Sequence, residues 1–319
     1  MRELLIVLFL FAAIPGRCAA QGSVALSDVQ KQLHKRETAL RAFRTEWSVS
    51  VDSLINRNLI VSSFGKGYWL RVQTQAGSVE HEAVLLSEQP YAYIWRLSSW
   101  SANPVVQNLT WLYGSILLPS VAGINLLRFY DIRAGDVKIE YEGRRVRVSG
   151  YLHKEFPPPV SGLPVRAAMV LLLDPEHNYA PSEAYLYFNT PDQVLEKMTV
   201  VEWVSHQGNW LPAKVEFTGR GLQPLRVHLA RIHSSSEETP KWFTIPMWVS
   251  DWRLGINGSN VSAYEFKGQL PRLEELPALR DGNRANPTSP APSDGSKGGT
   301  DAFILPFYSS PSVSSGTGD

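Results

Sequence analysis

The sequence predicts a mainly β fold built on a large antiparallel sheet, either a sandwich or an open barrel. Three observations carry this. About a dozen short runs are rich in apolar residues, many of them alternating with polar ones. Turn residues separate these runs at short, regular spacing. One stretch alone, ahead of the first strand, has clear helical periodicity.

That stretch comes first. Val29, Leu33, Leu40 and Phe43 recur at near-helical spacing, with Lys31, Lys35, Arg36 and Arg41 largely elsewhere. They give one amphipathic helix over Asp28–Ala42. Ser27-Asp28-Val29-Gln30 reads as its capping box, the Ser hydroxyl accepting from the third residue on and the Gln reaching back.

Strand signals follow at once. In Thr45–Val51 the residues Trp47, Val49 and Val51 alternate with polar neighbours. Leu59–Ser63 and Tyr68–Thr74 flank the turn Gly65-Lys66-Gly67. Val79–Leu86 and Tyr91–Leu97 are split by Ser87-Glu88-Gln89-Pro90. Asp136–Tyr141 and Arg145–Leu152 flank Glu142-Gly143-Arg144, a second hairpin signal. Further strands are expected at Arg166–Leu173, Ala184–Phe188, Thr199–His206, Leu211–Thr218 and Leu225–Ile232. The last are Trp242–Ile245, Val249–Leu254 and Ala263–Phe266. Between them, Asn108–Asp131 is apolar but carries Pro119 and Gly123. It reads either as a pair of short helices or as a plug lying on the sheet.

The two ends differ from this body. Leu4–Ile14 is an unbroken apolar run behind Met1-Arg2-Glu3, stopped by Pro15-Gly16 and followed by Cys18-Ala19-Ala20. This is the pattern of a signal peptide over residues 1–20, cleaved near Ala20. The run is about half of the roughly 20 residues that span a bilayer. Cys18 raises lipidation as an alternative, against which Gly16-Arg17 is a poor match to a lipobox. Cleavage takes Lys+Arg from 31 to 29 and Asp+Glu from 30 to 29, leaving a neutral chain. It also removes the single cysteine. The expected mature chain therefore has no disulfide, thiolate metal site or cysteine nucleophile. It has no electrostatic footprint for nucleic acid. One β domain is expected over residues 21–280. Beyond it, Asp281–Asp319 is dominated by Pro, Ser, Gly, Asn and Thr and reads as a disordered tail. An apolar island in the tail, Ala302–Tyr308, is either a chance patch or a short docking peptide.

Four stretches carry a family resemblance. Leu40–Val49 (LRAFRTEWSV) runs from helix to first strand. Leu172–Pro181 (LLDPEHNYAP) places an Asp-Pro turn after an apolar strand. Gln207–Val215 (QGNWLPAKV) holds a Gly-x-Trp-x-Pro hairpin, and Lys267–Pro271 with Leu273–Leu276 closes the body. In this order they resemble the periplasmic lipoprotein-carrier superfamily, the LolA/LolB-like fold, in an uncharacterised secreted bacterial branch. The resemblance covers most of Ala25–Leu279. It implies a large antiparallel sheet curved into an incomplete barrel, closed by the N-terminal amphipathic helix and short helices, with acyl chains held in an apolar cavity. The length of the chain and its tail depart from the carriers proper.

On such a sheet one face is apolar and one polar. Trp47, Val49 and Val51 share a face. So do Tyr68 and Leu70, or instead their neighbours Trp69 and Arg71. Tyr93 and Trp95 alternate on another strand, as do Val201 and Trp203. The expected cavity lining is thus Trp47, Val49, Val51, Tyr68, Leu70, Tyr93, Trp95 and Trp203. The same alternation also suits ordinary core packing. A buried acyl chain would gain about 0.8 kcal/mol per methylene.

Candidates for chemistry are few. Asp174-Pro175-Glu176-His177 collects two carboxylates and an imidazole, but between strands it reads first as a turn. The seven histidines fall on separate elements, and no HExxH, GxSxG, P-loop or GxGxxG pattern occurs. The expectation is a non-enzymatic protein with no cofactor and no metal, monomeric, periplasmic or secreted. Its partner would be a lipid or a lipidated protein, with a membrane-associated protein as a further partner and no nucleic acid. The alternative is a sensor or scaffold that binds a partner protein through the same fold. A hydrolase, the third reading, requires a nucleophile beside a histidine in a polar cleft.

Overall fold

The computed structural model describes residues 25–51, 55–65, 67–86, 92–97, 104–108, 116–130, 132, 136–152, 167–188, 193–219, 224–234, 239–251, 253–254 and 261–279. The expected signal peptide with Cys18, the tail from Asp281 and its island Ala302–Tyr308 lie outside these residues.

Helix α1 spans Leu26–Leu40 and buries Val29, Leu33, Arg36, Glu37 and Leu40. It starts earlier than its sequence signal, with Ala25 at the N-cap and no side-chain cap bond. Ser27 therefore lies inside the first turn and the expected capping box is absent. The extra residues let Leu26 pack against the core.

The strands are β1 (Phe43–Val51), β2 (Ile55–Phe64), β3 (Gly67–Thr74), β4 (Val79–Leu86), β5 (Ala92–Leu97) and β6 (Val105–Asn108). After two short helices, α2 (Leu117–Val121) and α3 (Leu126–Phe129), come β7 (Lys138–Glu142), β8 (Arg145–Tyr151), β9 (Ala167–Asp174), β10 (Ala180–Phe188) and β11 (Val194–His206). Then follow β12 (Asn209–Gly219), β13 (Leu225–Ser234), β14 (Met247–Asp251) and β15 (Ser262–Phe266).

All belong to one 15-stranded sheet, ordered β15-β14-β6-β5-β4-β3-β2-β1-β13-β12-β11-β10-β9-β8-β7. It consists of two runs of sequential hairpins, β1 to β6 and β7 to β13. They are joined where β1 pairs antiparallel with β13. The β14–β15 hairpin is added on β6 through a parallel pairing, Ser250 with Val105 and Asp251 with Val106. The sheet is thus antiparallel except at that one step, and β15 and β7 form its edges.

One apolar cluster takes side chains from β4 across to β8, together with α1, α2 and α3. Ten neighbouring strands sharing one core on one face describe a sheet curled around its contents, an incomplete barrel. The middle segment is both things the sequence allowed: a helix pair, and a plug on the concave face.

The opposite face of β4 and β5 has its own core. Val84, Leu86 and Ile94 meet Phe243, Val249, Phe266, Leu270 and Leu276. Here the sequence expectation of a strand at Trp242–Ile245 is corrected: Lys241–Thr244 is a 3-10 turn behind Pro240. Trp242 and Phe243 both enter this cluster. Adjacent strand residues point to opposite faces, so a strand could not deliver both. Strand β6 was missed because its four residues sit beside an apolar stretch with no alternation of its own.

Turn chemistry follows the sequence closely. Gly143 has φ +65° between β7 and β8, and Gln207-Gly208 has φ +50° and +76° between β11 and β12. Asp174 caps the turn Pro175–His177 by accepting from the Glu176 amide at 2.9 Å.

Candidate functional site

The candidate site is the concave face and the segment that fills it. Strand β1 alternates buried and half-buried positions along its whole length. Trp47, Val49 and Val51 all enter the main core, and Trp47 satisfies its indole by donating to Thr45 Oγ1 at 2.8 Å. On β3 the inward set is Tyr68, Leu70 and Val72. Trp69 and Arg71 share the other set of positions, with the guanidinium over the indole ring at 4.0 Å. Five of the expected lining residues are therefore brought together.

Tyr93 and Trp95 pair with Leu85 and Ala83 on β4, but their side chains lie outside the described residues. Trp203 stands apart from the group. Two bulges interrupt β11 next to it, at Val200/Glu202 and Glu202/Trp203. Its ring stacks on His177 at 4.7 Å, and His177 meets Trp210 edge-on at 4.6 Å. His177 Nδ1 lies 2.7 Å from Asp174 Oδ2. The Asp174–His177 run is thus a capped turn whose imidazole packs between indoles. Among the described residues no three His, Cys, Asp or Glu are placed to hold a metal.

Ile116–Tyr130 covers the concave face. Ile116, Leu117, Leu118, Val121, Ile124, Leu126, Leu127, Phe129 and Tyr130 all enter the core. An apolar helix pair buried on every side is core filler by composition. Between α2 and α3 the chain turns at Gly123, whose φ is +71°. A Cβ there would lie 2.3 Å from Leu40 Cδ1 and 3.2 Å from Leu40 Cβ on α1. Gly123→Ala is expected to lower stability by at least about 1–2 kcal/mol, the left-handed strain alone, with the Leu40 clash added. A thermal midpoint equal to wild type would show that this turn does not press on α1.

With the segment in place, a void of about 10 Å³ lies among the described residues, bordered by Leu40, Phe43, Val61, Tyr68 and Val121 among others. That admits one water at most. Among the described residues, this segment fills the concave face.

Two carboxylates break its apolar lining, and the sequence reading missed both. Glu37 on α1 is 2% exposed and Glu196 on β11 is 3% exposed. Glu37 Oε1 accepts from Tyr68 Oη at 3.1 Å and from Arg41 Nη2 at 3.4 Å. Its Oε2 accepts from the backbone amide of Asn125, at the start of α3, at 3.4 Å. Glu196 Oε2 accepts from the amide of Ile116, ahead of α2, at 3.2 Å. Each short helix is therefore tied to the body at its leading end. Burial, and then the Glu37 charge, push the Tyr68 hydroxyl well above the usual phenol range, so it stays a donor. Arg41 also donates to Gly65 O at 2.9 Å and to Tyr68 Oη at 3.3 Å. Arg36 reaches across to β12 and donates to Trp210 O at 2.6 Å, and burial pushes its guanidinium down to about 10.

The signal for both carboxylates is a charge on an apolar period. Glu37 shares the helical stripe of Val29, Leu33 and Leu40. Glu196 pairs with the core residue Leu186 and precedes Met198 by two positions on its strand.

No family model and no curated protein matches the sequence. Among solved structures, the chain is similar to a DUF1329 family protein from Desulfovibrio piger, at 11% identity and a TM-score of 0.47, covering 68% of this chain and 96% of that one. It is similar to a candidate outer membrane lipoprotein-sorting protein domain from Vibrio parahaemolyticus, at 10% identity and a TM-score of 0.43, covering 66% and 95%. It is also similar to a LolA superfamily protein from Nitrosomonas europaea, at 10% identity and a TM-score of 0.42, covering 69% and 97%.

Proposed function

We propose that this protein is a non-enzymatic, monomeric binding protein of the cell exterior or periplasm, which holds the acyl chain of a lipid or lipidated protein on its concave face. One observation carries the reading. Among the described residues the concave face is mainly apolar from β4 to β8, and what fills it is a short helical segment rather than another strand or a second sheet. That segment occupies the place of an apolar ligand, and an acyl chain would bind by displacing it. A chain of about 16 carbons would gain on the order of 10 kcal/mol by burial. Against this stands the loss of the segment's own contacts, so binding is an exchange of similar apolar surfaces.

The test is direct. Mass spectrometry of an organic extract of natively purified protein is expected to recover bound lipid. A fluorescent acyl probe is expected to bind saturably, and to bind more tightly when residues 116–130 are replaced by a Gly/Ser linker. Protein that carries no lipid and ignores the probe in both forms would overturn the reading. The helical segment on the concave face also suits the alternative, a scaffold that binds a partner protein, for which β7 lies at an edge of the sheet among the described residues. A probe-blind protein that captures a partner through β7 would establish that alternative.

A further inference from the structure

A buried cation stands at one end of the concave face. Arg36 on α1 is 6% exposed, and burial lowers its guanidinium to about 10, so it stays charged at neutral pH. Among the described residues its one polar partner is the neutral carbonyl Trp210 O, and no carboxylate pairs with it. Glu37, next along the helix, is engaged with Tyr68, Arg41 and the Asn125 amide. Taking a charge out of water costs far more than one hydrogen bond returns. An incoming anion would offset that cost.

The sheet beside Arg36 is also parted. Among the described residues β12 and β13 pair only over Lys214–Phe217 and Leu225–His228. Over 209–213 and 229–234 the two strands keep their outer partners, β11 and β1, but not each other. Pro212, with no N–H to offer a ladder, stands in the unpaired stretch, and so does Trp210, whose carbonyl Arg36 takes. Side chains close the gap instead: Leu40, Phe43 and Leu211, with Leu229 and Ile232 packed on them. Packing is loose here, since Leu40, Phe43 and Leu211 also border the small void. Leu33, one turn before Arg36 on the same side of α1, lies in the main core. An acyl chain on the concave face thus runs up to the gap and to the guanidinium beside it.

Within the acyl-binding reading, on which this rests, we infer that the ligand ends in an anionic oxygen headgroup, a carboxylate or phosphate, which Arg36 receives at the gap between β12 and β13. A guanidinium has five N–H donors, and Arg36 commits one of its nitrogens, Nη1, to Trp210 O. The rest of the fork suits a planar or tetrahedral anion. Acyl chains that end in an ester, an amide or a hydroxyl bring no charge to it.

Oleate, oleoyl lysophosphatidate and monoolein share one acyl chain and differ in the headgroup, so their competition isolates this effect. Natively purified protein is offered all three at pH 7.5, separated from free lipid and analysed by mass spectrometry. One or both anions are expected to be retained over monoolein by about tenfold or more, the scale of one charge-assisted hydrogen bond. The better retained of the two identifies the headgroup. Arg36→Met is expected to erase that preference. It is also expected to leave the urea midpoint at or above wild type, because the charge it removes is uncompensated in the empty protein. Arg36→Lys keeps the charge without the fork and is expected to keep the anions ahead of monoolein. Equal retention of the three lipids by wild type would overturn the inference while leaving the acyl-binding reading standing. So would an anion preference undiminished in Arg36→Met, or one lost as fully in Arg36→Lys as in Arg36→Met. An Arg36→Met midpoint well below wild type would make the residue a clamp on β12 and likewise overturn it. Retention of none of the lipids would remove both.

Discussion

Replacing Asp251 with alanine is expected to destabilise the protein by about 3–5 kcal/mol, the scale for removing one partner of a buried ion pair. Asp251 is fully buried and Arg253 is 7% exposed. The guanidinium grips the carboxylate with Nε at 3.0 Å from both oxygens and Nη2 at 2.8 Å from Oδ2. Tyr264 Oη donates to the same Oδ2 at 2.7 Å, and the Arg253 amide to Oδ1 at 3.0 Å. Without Asp251 the cation stays buried among these groups and loses the carboxylate that it grips through two of its nitrogens. The loss would spread beyond the pair. Arg253 Nη2 also donates to Pro271 O at 2.8 Å, and Ser262 Oγ to Leu276 O at 2.8 Å. These bonds hold the segment Leu270–Leu279 over the second core. A urea titration followed by tryptophan fluorescence reads the effect. The triple change Asp251→Leu, Arg253→Met, Tyr264→Phe removes every charged member and is expected to recover most of the loss. An alanine variant within about 1 kcal/mol of wild type would contradict the burial of this pair.

The second large effect is acid sensitivity through His81. Burial pushes its imidazole down to about 3, and the side chain is 4% exposed on β4. The unfolded chain protonates near pH 6.5. Above that pH both states are neutral and His81 has no effect on stability. Below it the unfolded state takes a proton that the folded state refuses. Stability therefore falls as pH drops from 6.5 toward 3, at about 1.4 kcal/mol per pH unit at its steepest. Between pH 6.5 and 4.5 the loss is about 2–3 kcal/mol from this group. His81→Gln keeps a polar side chain and cannot titrate, so its urea midpoint should change less over the same interval. Parallel slopes for the two proteins would rule out a buried neutral His81.

The strands and turns were legible because their signals are local. Alternation in Thr45–Val51, the glycines at 65, 143 and 208, and the Asp-Pro at 174–175 each specify geometry within a few residues. The inward side of β1 was readable for the same reason. Two kinds of information were not local. The short elements failed where tertiary packing overrode the pattern: Trp242–Phe243 gave up strand geometry to place both rings in one core. The site failed at its polar members. Glu37 and Glu196 look like lapses in an apolar period until the segment they hold is seen, since their partners are backbone amides 88 and 80 residues away. No sequence pattern marks a backbone amide as a ligand. Trp203 illustrates a third cause: bulges on either side of Glu202 break the period-two count that had grouped it with the concave aromatics.

The seam between β1 and β13 also governs how the chain can fold. Every other antiparallel pairing in the two runs of hairpins joins strands that follow one another in sequence. At the seam, by contrast, Ser50 bonds to Arg226 O, 176 residues further on. Closing so long a loop is entropically unfavourable and slow, and local hairpins form much faster. The first run can therefore assemble while β1 still presents an open edge. That edge stays available until Leu225–Ser234 has emerged and returned to it. A chain delivered from its N-terminal end thus spends most of its synthesis or passage as a half-sheet with a sticky margin. In this interval a chaperone, or another copy of the chain, competes with β13 for the same row of amides and carbonyls.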